Sequence, residues 1–342
     1  MGLTYKEAGV DINAAERAVE LMKEAVRGTH GPEVIAGLSD FGGMFALDGA
    51  RYREPVLVSG TDSVGTKLKL AFAMDKHDTV GQDAVAMCVN DILTLGARPL
   101  FFLDYIGCNT LVPEQIADVV AGVARACKRA GCALVGGETA ELGDMYQEGE
   151  YDLVGFAVGV VERGQIVDGS KVRAGDALIG LTSSGLHSNG FTLVRKVFLE
   201  KAQMPLDQHV EELGRALGEE LLEPTRVYAP AVVALCEKLD VHGLAHITGG
   251  GIPGNVARMI PDGLSGRVDS SAWPRPPIFD LLQRVGQIEE AEMYRTFNMG
   301  LGMVVALPEP QAAEAIEMLA AEGVDAGMVG RVDQGQEKAK IL

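Results

Sequence analysis

The chain has 342 residues, of which 47% are hydrophobic and 23% are charged, so it is long enough for two domains with buried cores. Its formal net charge of −18 argues against binding to nucleic acid or to an anionic membrane, because either surface requires a basic stripe on the protein. No apolar run approaches a membrane span, the first residues lack the core of a secretion signal, and the five cysteines form no C-x-x-C pair, so we expect a cytoplasmic protein with reduced thiols and no zinc.

The first half of the chain alternates strand and helix patterns. Strands are predicted at 55–59, 99–106, 132–138 and 152–161, and helices at about 80–95 and 113–130. Pro113 suits the first turn of its helix and Gly131 suits the stop. The first thirty residues are amphipathic, a pattern that fits both a segment folded over a site and an ordinary helix. The order of elements predicts a sheet with helices packed against it.

A polar, glycine-bearing stretch at 162–176 then predicts a domain boundary, with domains at 1–165 and 166–342. The strand and helix alternation restarts after it. Strands are predicted at 177–182, 300–307 and near Met328, helices at 188–199 and 309–323, and a strand, glycine turn and helix over 245–260. We therefore predict an α/β protein of the α+β type, with two domains that each hold a mixed sheet covered by helices.

The loop V-S-G-T-D-S-V-G-T-K-L-K at 58–69 resembles a phosphate-binding loop but departs from its consensus sequence. Gly60 and Gly65 keep the spacing of a Walker motif, but Thr66 and Lys67 stand in reversed order. The carboxylate of Asp62 lies inside the loop, where it would repel a phosphate. The residues alone leave open why a phosphate site would contain a negative charge.

Five carboxylates are candidates for binding a hard cation through oxygen. Asp91 lies on the apolar stripe of the helix predicted after the loop, and Asp104 interrupts an apolar strand, where an unpaired charge would be costly. Glu138 and Glu141 in G-G-E-T-A-E-L follow a strand, the usual place for ligands in open sheets. With Asp62 they favour magnesium, since no histidine or cysteine is interleaved at ligand spacing. The structural alternatives are a packing salt bridge for Asp91 and a plain turn for the glutamates.

The second domain carries the cluster T-S-S-G-L-H-S-N-G at 182–190, where a strand gives way to a helix. Glycines and small hydroxyl residues at a helix N-terminus form a ready anion site. A Ser- or Asn-capped helix start explains the same residues but leaves His187 unexplained, although a lone histidine is more often structural than catalytic. The stretch T-G-G-G-I-P-G-N at 248–255 repeats the arrangement and is a second anion-site candidate.

Taken in order, several motifs are similar to those of the aminoimidazole ribonucleotide synthetases. The motifs are G-T-D-S-V-G-T-K, M-C-V-N-D-I, P-L-F-F-L-D-Y, L-V-G-G-E-T-A-E, S-S-G-L-H-S-N-G-F and H-I-T-G-G-G. The resemblance runs from Y-K-E-A-G-V-D-I near the N-terminus to M-Y-R-T-F-N-M-G-L-G-M near residue 300. These enzymes belong to an ATP-binding superfamily that includes formylglycinamidine synthetase, selenophosphate synthetase and thiamine-monophosphate kinase.

The resemblance implies roles for individual residues, and it makes the Walker comparison a false lead. ATP is expected at Gly60, Thr61, Asp62, Gly65, Thr66, Lys67, Asn90, Asp91, Gly136, Gly137, Glu138 and Thr139, with Mg2+ held by Asp62, Asp91, Glu138 and Glu141. Substrate is expected at Ser183, Ser184, Gly185, Ser188, Asn189, Thr248, Gly249 and Gly250, and the catalytic residues are expected to be His187, Lys67 and Asp104. The N-terminal domain would bind nucleotide and metal and pair its sheet with that of a second copy, which implies a homodimer. The C-terminal domain would carry the substrate loops.

The implied reaction converts formylglycinamidine ribonucleotide and ATP into aminoimidazole ribonucleotide, ADP and phosphate through an iminophosphate. Selenophosphate synthetases usually carry a reactive cysteine or selenocysteine near the N-terminus, whereas the first cysteine here is Cys88. Formylglycinamidine synthetases duplicate the architecture or are longer. An alternative from another class is a nucleotide-binding assembly factor without turnover.

Overall fold

The structure, a computed structural model, describes residues 4–36 and 42–342, which divide into two compact units. The first comprises the described residues up to Ile92 together with Pro99–Glu162, and the second comprises Leu93–Arg98 together with Arg163–Leu342. Residues 93–98 join the second unit, where the Val167 N–H donates to the Leu95 carbonyl oxygen at 3.2 Å. The predicted α/β class with two domains is confirmed.

The first unit contains a four-stranded sheet and four helices. The strands are β1 (Val34–Ala36), β2 (Met44–Phe45), β3 (Pro55–Ser63), β4 (Arg98–Cys108), β5 (Ala133–Glu141) and β6 (Tyr151–Glu162), and the helices are α1 (Ile12–Arg27), α2 (Leu68–Met74), α3 (Val80–Leu93) and α4 (Pro113–Ala130). The sheet order is β3-β6-β4-β5, with β3 antiparallel to β6 and β4 parallel to β5, while β1 and β2 form a separate antiparallel pair.

Local sequence explains the helix ends and the close packing of α3 on α4. Helix α4 begins with proline and ends at Gly131, whose φ of 72° suits a residue without a side chain. A Cβ atom at Gly81 would lie 2.3 Å from the Val123 nitrogen, and one at Gly122 would lie 2.5 Å from the Asp78 carbonyl oxygen. The two glycines therefore let the two helix backbones touch, which fixes α3 and the carboxylates it carries.

The second unit is built on a six-stranded sheet of order β10-β12-β7-β13-β11-β14. Its strands are β7 (Asp176–Thr182), β8 (His209–Val210), β9 (Arg215–Ala216), β10 (Gly243–His246), β11 (Leu264–Val268), β12 (Leu301–Pro308), β13 (Ala326–Gln334) and β14 (Ala339–Ile341). Its helices are α5 (Phe191–Arg195), which runs into a π-helix at Lys196–Lys201, α6 (Leu217–Leu221), α7 (Ala229–Lys238), α8 (Gly251–Met259), α9 (Pro277–Gly286), α10 (Glu290–Thr296) and α11 (Ala312–Ala321).

The order of strands gathers three loops at one edge of this sheet. Strands β7 and β10 both run antiparallel to β12, so they end at the edge where β12 begins. Residues 183–190, 247–251 and 298–300 lie at this edge. In β7 the six residues from Asp176 to Leu181 are all buried, as expected for a central strand. No helix in the described part of the chain is long and apolar enough to cross a membrane.

Candidate nucleotide and substrate sites

Strand β3 packs closely on α3 in the region of Asp62 and Asp91. Gly60 allows this approach, because a Cβ atom there would lie 3.3 Å from the Cys88 carbonyl oxygen and 3.9 Å from Asp91 Cβ. The Cys88 thiol donates to the Asp62 carbonyl oxygen at 3.8 Å. Burial raises the pKa of this thiol to about 12, and the Asp62 and Asp91 carboxylates contribute to the increase. Asp62 is half-buried and Asp91 is exposed, so both residues, whose carboxylates act on the Cys88 thiol, reach the surface of the unit.

Lys67 does not lie where the resemblance implied. Its Nζ is 2.9 Å from Asp83 Oδ1, and both side chains are fully buried. The ammonium is therefore neutralised inside the fold, where an unpaired charge would be strongly unfavourable. This geometry favours a structural role for Lys67 over contact with a phosphate.

The other expected nucleotide residues of this region differ in accessibility. Asn90 is fully buried within α3 and so lines the core rather than the surface. The Thr61 hydroxyl donates to the Gly155 carbonyl oxygen at 2.8 Å. Gly65 and Thr66 are exposed in the 3-10 turn that precedes α2, and Thr61 is also exposed, so a ligand could reach these three residues.

A cavity of about 600 Å3 lies between α1 and the strands β4 and β5. Its apolar wall comes from α1, through residues such as Ala18, Met22 and Val26, and the opposite wall carries the carboxyl groups of Asp104 and Glu138. The expected nucleotide residues Gly136, Gly137, Glu138 and Thr139 all line it. A flat apolar group with a few polar atoms fits a cavity of this composition.

Asp104 is one of the residues that line this cavity, and one of its carboxyl oxygens is enclosed by the protein. Its Oδ2 is buried and has no hydrogen-bond partner among the residues that the structure describes. Burial raises the pKa of the carboxyl to about 7. Gly137 makes room for the group, because a Cβ atom there would lie 1.8 Å from Asp104 Oδ1. The apolar strand that surrounds Asp104 is thus interrupted on the cavity side.

Glu141 makes contacts different from those expected of a metal ligand. Its Oε2 accepts from the Asp11 N–H at 2.7 Å, and its Oε1 accepts from the Leu111 N–H at 2.9 Å. Asp11 is the N-cap of α1 and accepts from the backbone N–H groups of its first turn. Glu141, at the end of β5, therefore holds the start of α1, the helix that forms one wall of the cavity.

The four expected magnesium ligands are not brought together. Within residues 4–36 and 42–342, no group of three or more His, Cys, Asp or Glu side chains is placed to hold a metal ion. Glu141 is engaged by backbone amides and Glu138 faces the cavity. Asp62 and Asp91 both act on the Cys88 thiol, and two carboxylates fit a magnesium ion that takes one or two of them and completes its shell with phosphate oxygens and water.

In the second unit, the first two serines of the 182–190 cluster use their hydroxyls within the protein. Ser183 Oγ lies 2.9 Å from the Gly185 carbonyl oxygen and 3.0 Å from Asn298 Oδ1. Ser184 Oγ donates to the Pro224 carbonyl oxygen at 2.6 Å. The assignment of these two serines to the substrate site stays a prediction. Ser188 and Asn189, further along the loop, are half-buried and accessible.

His187 is 1% exposed and adopts a left-handed backbone with φ of 62°. Its Nε2 accepts from the Ser184 N–H at 3.2 Å, which leaves that nitrogen without a proton of its own. Its ring packs against Tyr228, with ring centroids 6.3 Å apart, and both rings lie against Gly302. The structure thus favours a role for His187 in shaping the loop.

The second glycine loop precedes α8 and lies beside the first. Gly249 and Gly250 are exposed, and a Cβ atom on Gly249 would lie 3.8 Å from Asn189 Oδ1. Asn255 organises the loop, because its Nδ2 lies 3.3 Å from the carbonyl oxygens of Thr248 and Gly249. The accessible polar residues of both loops thus lie together at the start of a helix, an arrangement suited to an anion.

Sequence reasoning missed the residues that hold these loops. These residues are Asp83, Asn255 and Asn298, each of which is less than 4% exposed. Asp83 pairs with Lys67, and the two asparagines donate hydrogen bonds to backbone carbonyl oxygens. A buried asparagine in an apolar stretch is a usable signal, since a buried amide requires hydrogen-bond partners. Nothing in the sequence identifies those partners.

Two domain families match the chain. The AIR synthase related N-terminal domain matches residues 48–161, and the AIR synthase related C-terminal domain matches residues 173–341. A phosphoribosylformylglycinamidine cyclo-ligase from Anaeromyxobacter dehalogenans strain 2CP-1 is 58% identical over 336 residues, which cover 98% of this chain and 97% of that protein.

Solved structures with the same fold are more distant. Thiamine-monophosphate kinase from Stenotrophomonas maltophilia K279a superposes with a TM-score of 0.71 at 17% identity, over 94% of this chain and 95% of that one. The hydrogenase maturation protein HypE in complex with ATP gives a TM-score of 0.67 at 19% identity, over 97% and 90%. At such identities the likeness establishes the fold alone.

Proposed function

The chain belongs to the AIR synthase related family and within it to the phosphoribosylformylglycinamidine cyclo-ligases of purine biosynthesis, and from this premise we propose how its two units divide the reaction. The first unit binds ATP with Mg2+, and the second binds the phosphoribosyl part of formylglycinamidine ribonucleotide. ATP phosphorylates the formyl amide oxygen of the substrate, the amidine nitrogen attacks the resulting iminophosphate carbon, and phosphate leaves as the imidazole ring closes. The products are aminoimidazole ribonucleotide, ADP and phosphate.

The pair of Asp62 and Asp91 supports the nucleotide part of the proposal. An ATP-bound Mg2+ needs only one or two protein carboxylates; these two both act on the Cys88 thiol, and Gly65 and Thr66 in the turn after β3 are exposed. The metal would neutralise the phosphates and thereby resolve the apparent conflict of a carboxylate in a phosphate loop. Phosphoryl transfer depends mainly on alignment and charge neutralisation, so this set of residues suffices without a covalent nucleophile.

The cavity under α1 supports the same assignment. Its volume of about 600 Å3 and its apolar wall suit a purine base, and Asp104 and Glu138 supply polar atoms at the opposite wall. We place the adenine here, with Asp104 in contact with its polar edge. Lys67 is left out of the site because it is buried against Asp83.

The paired glycine loops support the substrate part. Ser188, Asn189, Gly249 and Gly250 are accessible at the start of α8, where backbone N–H groups and the helix dipole favour an anion. The 5′-phosphate of the ribonucleotide is the anion we assign to them. His187 supports the loop through its hydrogen bond with the Ser184 N–H. Because this bond occupies Nε2, we assign the proton lost on ring closure to solvent or to a group of the substrate complex.

Two further features follow from family membership and are proposed with the reaction. We propose a homodimer in which the first unit's sheet pairs with that of a second copy. The solvent-exposed side chains of Leu57 and Phe156 on neighbouring strands β3 and β6 are apolar and suit such burial. We also propose that the enzyme acts in the cytoplasm, where its substrates are made.

The observation that carries the proposal is the 58% identity over nearly the full length of a named cyclo-ligase, which spans both units. A steady-state phosphate assay with ATP and Mg2+, with and without formylglycinamidine ribonucleotide, tests it. We expect ATP hydrolysis only when the substrate is present, with one aminoimidazole ribonucleotide formed per phosphate. Rapid hydrolysis that the substrate leaves unchanged would contradict it, and ATP binding without any turnover would favour an assembly factor.

A further inference from the structure

Asn298 lies buried between two loops at the edge of the second unit where β7 ends and β12 begins. Its side chain is 3% exposed, and it precedes the left-handed residues Met299 and Gly300, with φ of 52° and 102°. Thr182 at the end of β7 is paired with Leu301 at the start of β12, so the two loops leave the sheet side by side.

The Asn298 side chain uses both ends of its amide to join these loops. Its Oδ1 accepts from the Gly300 N–H at 2.8 Å and lies 3.0 Å from Ser183 Oγ. Its Nδ2 donates to the Gly185 carbonyl oxygen at 2.8 Å. The Ser183 N–H also donates to the Gly300 carbonyl oxygen at 2.9 Å. Joining the two loops in this way requires a side chain with an acceptor at one position and a donor at the other, and the amide of asparagine has both.

The segment held in this way has a backbone that ordinary residues rarely adopt. Gly185, His187 and Gly190 have φ of 146°, 62° and 77°. Glycine adopts such angles without strain, but a non-glycine residue such as His187 does so only where surrounding contacts hold it. Asn298 supplies such a contact at Gly185, and Phe297 packs directly against Gly190. The loop between them carries Ser188 and Asn189.

We infer that Asn298 is a positioning residue for the ribonucleotide substrate, holding the 183–190 loop so that Ser188 and Asn189 face the exposed glycines 249 and 250. The inference rests on the proposed function, since it takes these loops as the substrate site. Because Asn298 is 3% exposed, we assign it a positioning role rather than contact with the substrate. Its amide acts through Gly185 and Ser183, so its loss should affect substrate affinity and leave ATP binding in the first unit largely unchanged.

The variant Asn298→Asp tests the inference because protonation can restore the missing donor. Aspartate keeps the acceptor that faces Gly300, but when ionised it sets an oxygen against the Gly185 carbonyl oxygen. When protonated, its hydroxyl can donate to that carbonyl as the amide did. Burial raises the pKa of such a carboxyl above its ordinary value of about 3.9, which brings the change toward a measurable pH range.

Two titratable groups near the loop are present in both proteins. His187 lies in the loop itself, and Glu220 Oε1 lies near Gly185, where it is also paired with Arg215. The wild-type enzyme measured over the same pH range therefore records their contribution. Only the additional pH dependence of the variant is assigned to position 298.

We expect Asn298→Asp at about pH 8 to raise the KM for formylglycinamidine ribonucleotide by about 10-fold or more, because small displacements of binding groups are costly. The KM should fall toward the wild-type value as the pH is lowered toward about 6, while the KM for ATP changes by less than about 3-fold. Asn109→Asp is the matched control, since Asn109 Nδ2 donates to the carbonyl oxygens of Gly143 and Tyr146 in the first unit. It should lack this pH-dependent, substrate-selective effect.

A substrate KM for Asn298→Asp within about 2-fold of wild type at every pH would overturn the inference. So would equal increases for substrate and ATP without pH dependence. If this variant does not fold, Ser183→Ala decides, because it removes one of the Asn298 contacts and should raise the substrate KM by about 2- to 5-fold; an unchanged KM would overturn the inference. If the wild-type enzyme does not convert the substrate, the proposed function fails instead.

Discussion

Lys67 Nζ lies 2.9 Å from Asp83 Oδ1, and neither side chain is exposed to solvent. The pair joins the turn before α2 to the first turn of α3. The sequence places Lys67 in a glycine loop of the kind that binds phosphate, but its contacts in the structure are those of a core residue. The two roles can be distinguished by replacing Lys67 and Asp83 together. If the two residues form a core ion pair, the double variant recovers stability and still binds ATP; if Lys67 binds phosphate, the double variant loses ATP affinity.

We expect Lys67→Met to lower the free energy of unfolding by about 3 kcal/mol or more, because it leaves the Asp83 carboxylate buried without its cation. The double variant Lys67→Met, Asp83→Leu should recover at least half of the loss, since it removes both charges together. Urea unfolding measures both. As a control, Lys76→Met breaks the half-exposed pair with Asp78 and should cost less than about 1 kcal/mol.

The same double variant tests the phosphate interpretation of Lys67. If Lys67 is a core residue, the folded double variant should bind ATP with Mg2+ within about 3-fold of wild type. A loss of about 100-fold in a protein that unfolds at a normal urea concentration would return Lys67 to the phosphate site.

Asp91→Asn should weaken magnesium-dependent ATP binding by at least about 10-fold, or about 1.4 kcal/mol, while leaving the melting temperature of the free protein unchanged or slightly raised. The reason is that Asp91 is assigned to the metal in the proposed site, and that an exposed carboxylate contributes little to folding stability. Asp118→Asn removes an exposed carboxylate from α4 and is the matched control. Thermal melts and ATP titrations with and without Mg2+ decide it: a large loss of stability with intact binding would indicate a packing salt bridge.

How much of this was accessible from sequence depends on the range of the interaction. Continuous apolar runs and end signals located β4, β7 and α4, because those features depend on neighbouring residues. The pairing of Lys67 with Asp83 crosses 16 positions. No local pattern specifies such a contact.

The loops of the second unit show the same division. The glycine and serine composition of 182–190 predicted a turn at a helix start, as observed. Ser183 and Ser184 were predicted to bind substrate, whereas the partners of their hydroxyls in the structure are Asn298, 115 positions away, and Pro224, 40 positions away. Tertiary contacts decide which side of a loop a short hydroxyl faces.

Asp104 should make the stability of the protein depend on pH between about 4 and about 7. Burial raises its pKa from 3.8 to about 7, so across this range the folded state holds a proton that the unfolded state has released. Stability therefore falls as the pH rises through this window, by at most about 4 kcal/mol for a shift of about three pKa units. The difference in unfolding free energy between wild type and Asp104→Asn, measured at pH 5 and pH 8, should shift in favour of the variant at the higher pH. A constant difference would show that Asp104 is ionised throughout.

Glu141→Gln should loosen the start of α1. One of its two carboxylate oxygens becomes an NH2 group that faces the N–H of Asp11 or Leu111, so one hydrogen bond is replaced by an opposed pair of donors. We expect amide hydrogen exchange at residues 11–14 to speed up by about 10-fold, which corresponds to about 1.4 kcal/mol. Exchange within α4 serves as the internal reference. Unchanged exchange at 11–14 would mean that α1 is held by its packing on α4 alone.

His187 could either transfer a proton in the reaction or hold the loop in position, and the structure favours the second role. Its Nε2 accepts from the Ser184 N–H, its ring is buried against Tyr228, and its backbone is left-handed. A glutamine at this position can offer an oxygen to the Ser184 N–H but cannot carry a proton to or from the substrate near neutral pH. We therefore expect His187→Gln to keep more than about a tenth of wild-type turnover, while His187→Ala loses more and also raises the substrate KM. Removal of a general acid or base typically costs about 100-fold or more whatever replaces it. If both variants lose turnover to that extent with normal substrate KM and normal melting temperatures, His187 transfers a proton in the ring closure.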